Sequence, residues 1–275
     1  MNAVVVSEPV PGVRQLTLNR PERLNALDVE LVAALHGELD AVAADRDCRV
    51  VVLTGAGRGF CAGLDLTGYG DPEREERMGT TLAILDRQRE IARLTEKLHA
   101  LPQPVIAAVN GPAAGGGLAL VCASDIRIAS DSAVFAVSFI RAGFSACDIG
   151  VSWLLPRIVG AGAAHELMLT GRRFDSTEAH RIGLLAGVLP GPDLIEAAYA
   201  KAGEIMLNPP ASVELTKQGM WMALELPSLK SAVEFENRQQ VITALTEDQP
   251  RWPSALSSTR PDPNTATVDP LPRRR

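Results

Sequence analysis

Two glycine-rich segments, each directly after an apolar run, contain the residues best suited to chemistry. Gly115, Gly116 and Gly117 follow the run at residues 105–109, which is typical of a buried strand, and precede an apolar segment typical of a buried helix. Glycines at a strand-to-helix junction leave backbone N–H groups open to a ligand. Because partial positive charge accumulates at a helix N-terminus, the segment predicts a site for an oxygen that becomes anionic during a reaction.

A second glycine-rich turn spans residues 55–66 and follows the strand-like run at residues 50–54. Either turn alone is a weak signal, because glycine clusters most often only form tight turns. Two such turns after two apolar strands could together supply two N–H donors to one oxygen. A purely structural role for both turns is the alternative.

These turns, together with the segments LNRP at residues 18–21 and LNAL at residues 24–27, resemble the crotonase (enoyl-CoA hydratase/isomerase) superfamily. The resemblance runs from about residue 4 to about residue 245, in family order and spacing. It implies an α/β fold, a crotonase-like spiral of repeated strand-strand-helix units with a C-terminal helical trimerisation region. It also implies an acyl-CoA thioester as substrate, with no cofactor besides the coenzyme A that the substrate carries.

The resemblance assigns the oxyanion donors to the backbone N–H groups of Leu64 and Gly116, which would hold the thioester oxygen as it gains charge. Loss of one such donor typically costs about 3–4 kcal/mol of barrier. Contacts with the substrate or its coenzyme A are expected from residues around the turns: Arg20, Arg23, Asn25, Ala26, Ala62, Gly63, Asp65, Leu66, Gly115, Gly117 and Phe139. For the arginines an ordinary surface role stays open, and in relatives the aspartate at position 65 usually supports the turn.

The two glutamates that hold water in typical enoyl-CoA hydratases are absent at the matching positions, which are Ala119 and Phe139. Neither side chain can accept or deliver a proton. Ordinary hydratase chemistry is therefore not expected from this chain.

Asp148 matches an aspartate that moves a proton in some branches of the superfamily and acts as a nucleophile in others. Flanking Phe144, Cys147 and Ile149 would raise its pKa, which suits proton transfer. A cap for the helix that begins near Gly150 is the structural alternative. We predict isomerisation with Leu64, Gly116 and Asp148 as the catalytic residues.

Two other functions stay open for the same residues. One is nucleophilic thioester hydrolysis or dehalogenation through Asp148, although His99 does not fall where the dehalogenase branch carries its histidine. The other is a protein that binds CoA thioesters with little turnover.

The chain of 275 residues, 46% of them hydrophobic, is long enough for one large core. We predict an acyl-CoA-binding core at residues 1–207, a helical region at 208–249 after the break at Asn208-Pro209-Pro210, and a disordered tail at 250–275. The charged stretch at residues 71–77 predicts a mobile loop, and Ser176 is expected to cap a helix. In relatives the last helices build trimers that often pair into hexamers.

Composition narrows the partners and the compartment. A net charge of −6 argues against a nucleic-acid surface. The longest apolar stretch is too short to span a bilayer, and the start of the chain has no pattern of a secretion signal. The four cysteines have neither metal-ligand nor disulfide-framework spacing, so we expect a cytoplasmic protein without a metal site.

Overall fold

Strands and helices alternate along the first three quarters of the chain, and helices alone follow. The computed structural model describes residues 2–67 and 71–246. The strands are β1 Val4–Ser7, β2 Val13–Leu18, β3 Val50–Gly55, β4 Val105–Val109, β5 Ala113–Ala114, β6 Ile126–Ser130, β7 Val134–Ala136, β8 Arg173–Asp175 and β9 Gly187–Leu189. The helices are α1 Val29–Ala44, α2 Pro72–Met78, α3 Thr80–Ala100, α4 Gly116–Ala123, α5 Val151–Val159, α6 Ala161–Thr170, α7 Ser176–Arg181, α8 Leu194–Met206, α9 Pro210–Met222 and α10 Leu229–Ala244.

The main sheet has six strands in the order β1-β2-β3-β4-β6-β9, and a second sheet has the order β5-β7-β8. In the main sheet β1 and β2 pair antiparallel, and all later neighbours are parallel. Because β3 and β4 are parallel neighbours, the two glycine-rich turns that follow them leave the same edge of the sheet. The predicted α/β class is confirmed.

Both faces of the main sheet are covered, which explains why β4 is buried along its whole length and β3 up to its last residue. On one face α8 packs Leu194, Ala198 and Ala202 against the sheet. The other face carries α1, α3 and α4, and α4 is buried at every position. A helix buried all round does not show a polar stripe, in agreement with the uninterrupted apolar sequence after the triple glycine.

Two local predictions from the sequence are wrong. Residues 71–77 form most of helix α2 rather than a loop, because the Asp71 carboxylate caps its first turn by accepting from the Arg74 N–H. Arg74 also forms ion pairs with Asp86 and Glu90, which join α2 to α3. Helix α7 is capped by Asp175 and not by Ser176.

The break at Asn208 and Pro209 lies between α8 and α9. Helix α9 is joined to the sheet region by a buried ion pair of 2.8 Å between Lys217 Nζ and Asp125 Oδ2. The predicted tail at residues 250–275, and residues 247–249 of the predicted helical region, lie outside the described residues. Within residues 2–67 and 71–246, no helix combines the length and the apolar character needed to cross a bilayer.

Backbone hydrogen bonds join the two glycine-rich turns to each other. The N–H groups of Phe60 and Cys61 both donate to the Pro112 carbonyl at 3.1 Å, and the Ala114 N–H donates to the Cys61 carbonyl at 3.0 Å. The Asn110 side chain adds a further link, since its Nδ2 donates to the Gly57 carbonyl at 3.0 Å. The turns therefore form one unit with a fixed mutual position.

Asn25 anchors the N-terminal segment to the glycine-rich turn at residues 55–66. It is fully buried with a φ of 56°, a left-handed conformation that asparagine tolerates better than most residues. Its Oδ1 accepts from the Arg20 N–H at 2.8 Å, and its Nδ2 donates to the carbonyls of Ala56 and Gly59 at 3.0 and 2.8 Å. The side chain thus satisfies three backbone groups at once.

We expect Asn25→Ala to lower the free energy of unfolding by about 3 kcal/mol, because buried backbone groups lose their partners and alanine disfavours a positive φ. Urea unfolding followed by circular dichroism measures the change. Asn19→Ala is the matched control: its side chain makes one exposed bond to the Asn2 carbonyl, so it should cost less than about 1 kcal/mol. Equal effects of the two substitutions would contradict this role of Asn25.

Candidate active site

The Leu64 N–H points away from Leu27, the residue whose backbone binds the turn on both sides of Leu64. Gly63 and Asp65 bind Leu27 on both sides of it: the Leu27 N–H donates to the Gly63 carbonyl at 2.7 Å, and the Asp65 N–H donates to the Leu27 carbonyl at 2.9 Å. Along an extended segment successive N–H groups point to opposite sides. The Leu64 N–H is therefore directed away from Leu27.

The Gly116 N–H is the second predicted donor and lies in the first turn of α4, where backbone N–H groups have no partner within the helix. In the part of the chain that the structure describes, neither Leu64 nor Gly116 donates its N–H to a protein acceptor. The two turns approach closely here, since a Cβ built on Gly63 would lie 3.5 Å from the Gly116 nitrogen. Both N–H groups thus lie where the two turns meet.

This close approach requires glycine at two positions. Gly63 has a φ of +100°, and a Cβ there would lie 2.9 Å from the Ala114 carbonyl oxygen. A Cβ on Gly117 would lie 2.0 Å from the Cys61 carbonyl oxygen. A side chain at either position would therefore push the turns apart.

A cavity of about 630 Å³ opens at the two donors. Its volume lies within the range of small-molecule sites. Most of the lining is apolar, and the lining residues are Leu27, Ala62, Leu64, Leu66, Ile84, Gln88, Ile91, Gly115, Gly116, Ser138, Phe139, Arg141, Ala142, Phe144, Asp148 and Ile149. All three residues predicted to be catalytic therefore line one cavity.

Asp148 is the carboxylate among the described residues that line this cavity. Its Oδ1 accepts from Gln88 Nε2 of α3 and, at 2.8 Å, from the Ile149 N–H. Burial raises the pKa of Asp148, while the bonds from Ile149 and Gln88 oppose that rise in part. The group is thus held in place and is a stronger base than an exposed aspartate.

The backbone after Asp148 is strained, and the Asp148 side chain does not cap helix α5. Ile149 has a φ of +36° and Gly150 a φ of +87°; the first is rare for a β-branched residue. Helix α5 follows with Gly150 at its N-cap and no capping bond from a side chain. The alternative of Asp148 as a side-chain cap for α5 is therefore not what the structure shows.

The positions that match the hydratase glutamates differ in their surroundings. Ala119 lies in α4, fully buried in the core, and Phe139 lines the cavity. The sequence analysis missed Gln88, and also Ser138 and Arg141 of the lining. Gln88 could have been found from its spacing to Ile84 and Ile91, because positions four and three residues apart share one face of a helix.

The residues predicted to contact coenzyme A divide into two groups. Ala62, Leu66, Gly115 and Phe139 line the cavity. The other predicted contact residues do not line the cavity: Arg20, Arg23, Asn25, Ala26, Gly63, Asp65 and Gly117.

Asp65 holds the N-terminal turn through hydrogen bonds and ion pairs. Its carboxylate accepts from Thr67 Oγ1 at 2.7 Å, from Arg23 Nη2 at 3.1 Å and from Arg20 Nη2 at 3.2 Å. These bonds, Thr67 first, hold the pKa of Asp65 well below its usual range. Arg20 also pairs with Asp28 at 2.9 Å. The predicted ligand arginines are therefore tied to carboxylates of the protein itself.

Comparison with known proteins agrees with this geometry. The pattern described as enoyl-CoA hydratase/isomerase matches residues 9–253. A Mycobacterium bovis protein named a probable enoyl-CoA hydratase is 41% identical over 245 residues, which cover 89% of this chain and 86% of that one. The 1,2-epoxyphenylacetyl-CoA isomerase of Escherichia coli is 36% identical over 260 residues, covering 94% of this chain and 97% of that one.

Among solved structures, that of a monofunctional enoyl CoA isomerase from M. smegmatis is similar with a TM-score of 0.71 and 38% identity, over 85% of this chain and 99% of that one. The resemblance read from the sequence and the expected crotonase-like fold are both confirmed. Matched over nearly its whole described length in sequence and in fold, the chain belongs to the enoyl-CoA hydratase/isomerase family of enzymes.

Proposed function

We propose that the protein isomerises enoyl-CoA thioesters by proton transfer and hydrates them poorly. One observation carries the proposal: Asp148 is the carboxylate of the described cavity lining, whereas Ala119 and Phe139 occupy the positions of the two hydratase glutamates. Moving a double bond needs one group that takes and returns a proton, whereas adding water needs groups that hold and activate the water. The residues present suit the first reaction.

In this mechanism the thioester oxygen lies between the N–H groups of Leu64 and Gly116. The Asp148 carboxylate removes a proton from the acyl carbon next to the thioester carbonyl, and the electron pair left behind moves onto the oxygen to give an enolate. The two N–H groups stabilise the negative charge where it develops. Asp148 then returns the proton two carbons further along the chain, which completes the shift of the double bond.

The surroundings of Asp148 fit this cycle. Its raised pKa is closer to the pKa of the carbon acid that it must deprotonate, and the hydrogen bond from Gln88 orients the carboxylate. An apolar lining such as Leu27, Ile91 and Phe139 keeps the dielectric low, so that the hydrogen bonds to the oxyanion are strong. The name of the M. smegmatis enoyl CoA isomerase supports the same reaction class, and the Escherichia coli relative is named as an isomerase of a different acyl-CoA.

The proposal includes an assembly and the absence of a cofactor. Coenzyme A enters as part of the substrate, and no step above requires another group. We infer a homotrimer or homohexamer built on the last helices, whose exposed apolar side chains would gain a partner there: Met220, Met222, Leu224, Leu229, Val233, Val241, Ile242 and Leu245. Light scattering at micromolar concentration distinguishes such an assembly from a monomer.

The reaction is tested with 3-enoyl-CoA and crotonyl-CoA, with products identified by mass spectrometry and absorbance. We expect a shift of the double bond at constant mass, and crotonyl-CoA hydration at least about 10²-fold slower than that of a hydratase with both glutamates. Asp148→Asn should lower isomerisation by about 10²–10⁴-fold while acyl-CoA still binds. Fast hydration by the unmodified protein would contradict the proposal. Release of free CoA would instead indicate nucleophilic cleavage through Asp148, and binding without turnover a thioester-binding protein.

Gln88 is predicted to position Asp148 and to set the pH at which it works. Its hydrogen bond lowers the pKa of Asp148, so Gln88→Leu should raise that pKa further. Because the carboxylate form is the base, kcat/KM falls as the pH drops through the pKa. The acid limb of the profile should therefore move to higher pH.

Gln218→Leu is the matched control, since Gln218 bonds only to Glu214 on the exposed side of α9, and it should leave the profile unchanged. An unshifted acid limb in Gln88→Leu, or equal shifts in both variants, would show that Gln88 does not act on Asp148.

A further inference from the structure

Arg141 is the cation among the described residues that line the active-site cavity. Its side chain is exposed, and it forms no ion pair or hydrogen bond within the described part of the chain. The isomerisation described above gives it no role. A positive charge without a protein partner, in the lining of a ligand cavity, is available to an anionic group of the ligand.

Asp148, the carboxylate of the same lining, does not neutralise Arg141. The Asp148 carboxylate accepts from Gln88 and from the Ile149 N–H. Burial and these two bonds account for the direction of its pKa, and no cation contributes. A guanidinium next to the carboxylate would lower that pKa. Arg141 and Asp148 therefore occupy separate parts of the lining.

A short 3₁₀ turn, Ser138–Ala142, carries Arg141 and a second polar residue of the lining, Ser138. Residues three apart in a 3₁₀ helix lie one above the other, so both side chains leave the same side of the turn. The Ser138 hydroxyl makes no hydrogen bond within the described residues. It is thus a second available donor on the side from which the guanidinium extends.

The turn lies beside the proposed oxyanion site. A Cβ built on Gly115 would lie 3.0 Å from Ser138 Oγ, and the next residue, Gly116, is one of the two proposed oxyanion donors. The stem of Arg141 passes Gly171, where a Cβ would lie 3.1 Å from Arg141 Cγ. An acyl group whose carbonyl lies at Gly116 therefore shares the cavity with both polar side chains.

We propose that the active-site cavity selects acyl-CoA thioesters whose acyl group carries a carboxylate, and that Arg141 and Ser138 bind this carboxylate. A guanidinium presents two parallel N–H donors that match the two carboxylate oxygens, and the hydroxyl donates a third hydrogen bond. The proposal rests on the proposed function in taking acyl-CoA as the ligand. It adds the class of the acyl group, a dicarboxylic acid joined to CoA through one of its carboxyl groups.

The experiment compares the binding of unreactive saturated thioesters by isothermal titration calorimetry. Each pair has equal length and ends in a carboxylate or in a methyl group: glutaryl- with valeryl-CoA, adipyl- with hexanoyl-CoA, and suberyl- with octanoyl-CoA. At one or more of these lengths we expect the carboxylate member to bind about tenfold more tightly. The preference should shrink as salt is added, because Arg141 is exposed.

Arg141→Gln removes the charge, and Arg173→Gln is the matched control. Arg173 is exposed on β8 and does not line the cavity. The preference for the carboxylate member should disappear in Arg141→Gln and persist in Arg173→Gln. Arg141→Lys keeps the charge without the paired donors and should keep part of the preference. Circular dichroism checks that each variant is folded.

The proposal is overturned if no length shows the preference, or if Arg173→Gln removes it as completely as Arg141→Gln does. It is also overturned if Arg141→Gln weakens both members of every pair equally, because Arg141 would then contact the phosphates that all the thioesters share. Binding of the methyl members without a carboxylate preference would contradict this inference alone. If no thioester of either kind binds, the proposed function itself is wrong.

Discussion

The hydrogen bonds between the two glycine-rich turns are the constraint on which the site depends. Parallel pairing of β3 and β4 brings the turns to one edge of the sheet, and the bonds from Phe60, Cys61 and Ala114 then fix one turn on the other. Where the turns meet, the N–H groups of Leu64 and Gly116 have no acceptor among the described residues. In the proposed mechanism these donors need no reorganisation when charge develops between them, because they are backbone atoms held from both sides.

The carboxylates Asp65 and Asp148 have different partners. Around the N-terminal turn, Asp65 pairs with both Arg20 and Arg23, and Asp28 pairs with Arg20 as well. In the cavity lining, Asp148 has amide donors but no cation as a partner, so burial raises its pKa instead of a salt bridge lowering it. The left-handed conformation of Ile149 turns the chain sharply after Asp148, and such strain is maintained only where the surrounding structure enforces it.

The sequence predicted the elements whose signal is local and strong. The apolar runs of β3, β4 and α4 all appear where expected, since burial on both faces gives an uninterrupted apolar run within a few residues. Helix α2 was missed although its cap, Asp71, lies directly before it; only its ion pairs from Arg74 to Asp86 and Glu90 of α3 join residues that no local pattern brings together.

Predictions for the site depended on how far each partner lies along the chain. The adjacency of Leu64 and Gly116 followed from the resemblance. The pairing of Gln88 with Asp148, however, spans 60 residues and appears only in the folded chain. Asn25 was expected near the ligand, yet its side chain makes its hydrogen bonds to the backbone of its own turn and of the glycine-rich turn at residues 55–66. In both cases a polar residue was visible in the sequence, but its partner was not.

Infrared spectroscopy of butyryl-CoA with a ¹³C-labelled carbonyl tests most directly whether the two N–H groups donate hydrogen bonds to the thioester oxygen. The difference spectrum between bound and free ligand isolates the stretching vibration of that carbonyl. If Leu64 and Gly116 both donate to its oxygen, the C=O bond is polarised and the band moves to lower frequency on saturation of the protein. A saturably bound thioester whose carbonyl band stays at its frequency in water would contradict the account.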